Sequence, residues 1–83
     1  MKPGDLVTLG REAPVTIWKG QELYTTPAVG WFNQHDLAMV LATVGQEYLD
    51  SPRGSARPVS LVINSRGELG WVSTTYLIEA EAQ

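Results

Sequence analysis

Glycine and proline recur so often along this chain that every apolar segment is short. The longest apolar run is Leu37 to Leu41, continuing through Ala42, far below the roughly 20 residues a membrane-spanning helix needs. Between the breaks lie Leu6–Leu9, Val15–Trp18, Glu22–Thr26, Val59–Ile63, Leu69–Val72 and Leu77–Glu79. Of these, Leu6–Leu9, Val59–Ile63, the piece ending at Val72 and Leu77–Glu79, bounded by turn formers, read as strands.

The segments differ in how clearly they read. Leu6–Leu9 follows a Pro3-Gly4-Asp5 turn signal and stops at Gly10, which suits a short first strand. Residues 11–36 carry Pro14, Gly20, Pro27, Gly30 and Asn33, and form a long excursion folded in part as a ragged hairpin. Leu37–Val44 is apolar on both alternating faces, so a central strand covered on both sides is expected. A helix capped by Asp36 is the alternative, but the run would give only about two turns. Residues 45–58 hold Gly45, Pro52, Gly54 and Pro58 and read as an exposed loop.

The last third is the most legible. Val59, Leu61 and Ile63 share one face of a strand, and Asn64-Ser65-Arg66-Gly67 joins it to Glu68–Val72. Gly67 can take the positive φ that closes a type I turn with a bulge, so a tight hairpin is expected here. Ser73-Thr74-Thr75-Tyr76 reads as one 3-10 turn, Leu77–Glu79 as the last strand, and residues 80–83 as a frayed tail. Strands are therefore expected near 5–9, 37–44, 59–64, 68–72 and 77–79. Five short strands with apolar faces to cover imply an all-β, partly open barrel.

A chain of 83 residues has room for one core and therefore one domain, here 1–83. It has no cysteine, so neither a disulfide nor a thiolate metal site supplements that core. The Met1-Lys2-Pro3-Gly4-Asp5 start lacks the apolar stretch of a signal peptide, which gives a soluble, cytoplasmic protein as the expectation. With a formal charge of −3, a phosphate-tracking surface is disfavoured. Arg53, Arg57 and Arg66 come nearest to a basic cluster.

The stretch Gly67-Glu68-Leu69-Gly70-Trp71-Val72-Ser73-Thr74-Thr75-Tyr76-Leu77 resembles the end of Src-homology-3 domains. There a glycine-bearing hairpin leads through a glycine and two apolar residues to a 3-10 turn, a tyrosine and an aliphatic residue. The resemblance implies a five-stranded Src-homology-3-like barrel with a long first loop, a 3-10 turn before the last strand, and Val72 pointing inward. Ser73 stands where the family has proline, and of the family's groove aromatics only Tyr76 has a counterpart, so any groove must be rebuilt from the long loop. Lys2–Val7, Ala38–Leu41 and Gly70–Val72 also resemble short barrel proteins of bacteriophages and marine viral sequences. That likeness implies a small viral or prokaryotic accessory protein.

Catalytic chemistry finds little footing. His35 beside Asp36 is the one candidate general base, but no serine sits in a Gly-x-Ser-x-Gly elbow. No metal-ligand, phosphate-loop or dinucleotide spacing appears, so no cofactor or metal is expected. The aromatic set is more informative: Trp18, Tyr24, Trp31 and Phe32 fall in the long excursion, Trp71 and Tyr76 near the end. If the excursion packs beside the 3-10 turn, several rings meet, and such rings favour interfaces. The reading is a non-catalytic module that binds a protein or peptide, with Trp18, Trp31, Trp71 and Tyr76 as contacts. A structural homo-oligomeric subunit and a single-stranded nucleic-acid binder are the alternatives.

Overall fold

The computed structural model describes residues 2–45 and 58–80. Among the described residues seven strands, β1 (Leu6–Leu9), β2 (Val15–Trp18), β3 (Ala28–Phe32), β4 (Leu37–Val44), β5 (Val59–Asn64), β6 (Leu69–Ser73) and β7 (Leu77–Glu79), form one sheet. The order is β3-β2-β6-β5-β4-β1-β7, and the strand pairs are antiparallel. The five expected strands are all present, and Leu37–Val44 is a strand, not a helix. The protein is all-β.

The expected five-stranded barrel of Src-homology-3 type is corrected on two counts. Residues 11–36 contribute two full strands, because Val15–Trp18 pairs with Ala28–Phe32 and not with Glu22–Thr26. The sheet also stays open, with β3 and β7 at its two ends. Glu22–Thr26 lies in the connection, where local hydrogen bonds such as Thr25 N–H to the Glu22 carbonyl fold it into turns.

One face of the sheet is buried by curling on itself. Val7, Leu9, Ile17, Phe32, Ala38, Val40, Val62, Val72 and Leu77 form a single core, with Val15 and Tyr76 packed against it. Inward residues alternate with outward ones along β1, β4 and β6, as the two-residue period of a strand requires. Register shifts between Ile17 and Trp18 and between Val40 and Ala42 supply the bends.

Gly70 marks where β2 crosses closest to β6. A Cβ there would lie 2.5 Å from the Trp18 carbonyl oxygen and 2.6 Å from a methyl of Ile17. Only glycine fits that approach.

Two expectations about faces are resolved differently from one another. Val72 points inward, so Leu69 and Trp71 lie on the outer face. The expected double cover of Leu37–Val44 fails: Ala38 and Val40 are buried, whereas Leu37, Met39 and Leu41 are exposed. On β5 the core side is taken by Ser60, Val62 and Asn64, leaving Val59, Leu61 and Ile63 on the opposite side.

Candidate functional site

The loop between β2 and β3 and the 3-10 turn at Thr74–Tyr76 face each other across an open cleft. The turn is held by its own polar contacts. The hydroxyls of Ser60 and Thr74 hydrogen-bond at 2.6 Å in a buried site, and Thr74 N–H donates to the Pro58 carbonyl at 3.0 Å. Ser73 and Thr75 hydroxyls meet at 2.9 Å on the cleft side. These bonds satisfy polar groups that burial would otherwise penalise, and they fix where Tyr76 stands.

The opposite wall is folded by side-chain and backbone hydrogen bonds within the loop. Gly20 N–H donates to the Thr26 hydroxyl at 3.1 Å, the Thr25 hydroxyl donates to the Glu22 carbonyl at 2.8 Å, and Lys19 N–H reaches the Pro27 carbonyl at 2.8 Å. Such local bonds compete well with regular structure, which is why this apolar piece forms turns. At the tip Tyr24 has φ 71°, a left-handed conformation costly for an aromatic residue. Tyr24 is 66% exposed, and its ring stacks obliquely on Trp18, with centroids 5.1 Å apart and planes at 59°.

Between the walls run two adjoining hollows. The larger, of ≈ 470 Å³, is lined by Gln21, Leu23, Tyr24, Val59, Thr75 and Tyr76. The smaller, of ≈ 180 Å³, continues past Leu23, Tyr24 and Tyr76 to Trp18, Pro14 and Arg11. The Arg11 guanidinium lies 4.9 Å from the Tyr76 ring centroid, a cation–π distance that puts positive charge at that end. The cleft thus offers ring faces, hydroxyls and one cation, the mixture small-ligand and peptide grooves use.

Of the four residues expected to make contacts, the fold brings Trp18 and Tyr76 into this cleft. Trp71 is a cross-strand partner of both Trp18 and Leu61 on the outer face, half-buried, and lines neither hollow. Trp31, on β3, is 56% exposed and lies away from the cleft. Tyr24 and Arg11 are cleft residues that were not among the four. Tyr24 had a signal, an aromatic in a turn-rich loop; the placement of Arg11 depends on the path of the chain after β1.

A second polar cluster ties β3 to the β5–β6 hairpin. Asn64 is 5% exposed and uses its whole amide: Nδ2 donates to Glu68 Oε1 at 2.7 Å and to the Trp31 carbonyl at 3.2 Å. Its Oδ1 accepts from the N–H groups of Arg66 at 3.0 Å and Glu68 at 2.9 Å. Arg66 also donates to the Trp31 carbonyl and pairs with Asp36 at 2.9 Å and Glu68 at 3.1 Å.

These contacts set the charges. The Asn33 backbone N–H and then Arg66 hold the Asp36 carboxyl below its usual range. The Asn64 amide and then Arg66 do the same for Glu68, and the Asp36 carboxylate favours the charged guanidinium of Arg66.

The cluster bears on two expectations. Asp36 turns to Asn33 and Arg66, so its carboxylate is engaged away from the exposed His35. Arg66 is bound between two acids, while Arg53 and Arg57 lie outside the described residues. Among the described residues no group of three His, Cys, Asp or Glu side chains is placed to hold a metal ion, and no helix is long and apolar enough to cross a membrane. No protein-family model, no curated protein and no solved structure matches this chain.

Proposed function

We propose that this chain is a non-catalytic binding module that takes an extended peptide or protein segment into the cleft between the β2–β3 loop and the 3-10 turn. The observation that carries the reading is Tyr24. A tyrosine held at φ 71° yet 66% exposed, against Trp18 and across from Tyr76, gains little from core packing to offset its backbone cost. Backbone strain that stability does not explain is found at ligand sites. Rigid aromatic walls give large contact area at low entropy cost, the composition of binding hot spots.

The test is selection from a random peptide library on the full chain, then titration of the enriched peptide followed by backbone chemical shifts. Shifts centred on Leu23, Tyr24 and Tyr76, and at least about tenfold weaker binding by Tyr76→Ala, are expected. Failure to enrich any sequence, or shifts centred elsewhere, overturns the reading.

A further inference from the structure

The outer face of the sheet carries an apolar row that runs straight across four strands. Leu6 pairs with Met39, Met39 with Ile63 and Ile63 with Leu69, so the four side chains stand side by side on β1, β4, β5 and β6. Thr8 pairs with Leu37 and Ile78 on one flank, and Leu61 pairs with Trp71 on the other. No charged residue occupies any of these positions.

The size of this face is informative. Leu6, Leu37, Met39, Leu41, Leu69 and Ile78 are each 41–54% exposed. Six such side chains leave roughly 500–600 Å² of apolar surface, the upper end of what a monomer's largest patch reaches. With the half-buried Leu61, Ile63 and Trp71 between them, the face approaches the roughly 800 Å² per partner of a standard interface.

We infer that this face packs against the same face of a second copy of the chain, sheet on sheet. A two-fold interface asks only that a surface complement itself, and an uncharged row of aliphatic side chains meets that condition with no like-charge penalty. It also carries no charge that would select a differently charged partner. Two sheets packed face to face interdigitate such rows at about 10 Å, and a domain this small gains a second apolar layer that its own core does not supply. None of the row's own residues lines the cleft, which adjoins this face at Val59, Ser73 and Trp18.

Sedimentation velocity of the full chain from about 1 to about 200 µM reads the proposal directly. The mass is expected to rise with concentration from 9.1 kDa to twice that value. Met39→Glu and Leu69→Glu, each placing like charges across the two-fold, should weaken association at least about 100-fold. Strand circular dichroism checks that each variant folds. Should both fail to fold, mixed isotope labelling of the unaltered chain still decides the matter, because contacts between copies must include the Met39 methyl. A chain monomeric throughout, a dimer that survives both folded variants, or intercopy contacts that omit Met39 overturns the inference. The peptide titration with Tyr76→Ala reads the cleft independently, so either idea can fail alone.

Discussion

Gly67 and Asn64 carry the hairpin between β5 and β6 in different ways. Gly67 has φ 81°, its N–H reaches the Asn64 carbonyl at 3.0 Å, and a Cβ there would meet nothing within 4 Å. The cost of a side chain is therefore backbone strain alone, and Gly67→Val should lower the unfolding free energy by about 1–3 kcal/mol in urea melts. Asn64 instead makes four side-chain hydrogen bonds while buried. Asn64→Leu strands those partners and should cost about 2–3 kcal/mol by the same measurement. Gly67→Ala, which suffers less at positive φ than a β-branched residue, should fall between wild type and Gly67→Val.

At the scale of the element, β6 serves two faces at once. Val72 lies in the core and Trp71 lies outside it, a cross-strand partner of Leu61 and Trp18. A cross-strand aromatic pair contributes about 0.2–1 kcal/mol, so Trp71→Ala should leave folding nearly intact in thermal melts while weakening self-association in sedimentation. Gly70→Ala, two residues before Val72, should instead lower the melting temperature, because its methyl meets the Trp18 carbonyl and pushes β2 off the sheet. A melting temperature unchanged by Gly70→Ala would show that β2 does not approach β6 so closely.

For the whole molecule, pH should act through the acids around Arg66. Asp36 and Glu68 have carboxyls held below their ordinary values of 3.8 and 4.5 in the folded chain. Their stabilising contribution is then fully present above those ordinary values and is lost as pH falls through the lower folded ones. Urea melts of wild type and an Asp36→Asn/Glu68→Gln variant should differ fully above pH 4.5 and converge only as pH falls below 3.8 through the lowered folded values. The same carboxylates fasten Arg66, which with Asn64 holds the Trp31 carbonyl, so the acid effect is also a loosening of β3.

Local chemistry alone determined the parts of this protein whose partners lie close in sequence. Gly67 four residues from the end of a β-branched run fixes the hairpin, and Leu77 N–H to the Thr74 carbonyl closes the 3-10 turn, both through bonds spanning three or four positions, while the Ser60 hydroxyl and the Pro58 carbonyl set where that turn sits. The short punctuated segments likewise settle all-β architecture. Tertiary structure alone decided the rest. That Val15–Trp18 pairs with Ala28–Phe32 depends on a ladder closed across a nine-residue loop, and that Tyr24 meets Trp18 follows from it. The inward face of β5 was hidden for a different reason: hydrophobicity favours Val59, Leu61 and Ile63, yet Ser60 and Asn64 are buried with Val62. Burying those polar groups is tolerable only because Thr74, 14 residues away, and the Trp31 carbonyl, 33 residues away, supply hydrogen-bond partners. Such partners exist only once the chain has folded, and with them the apolar row of β5 is left facing out.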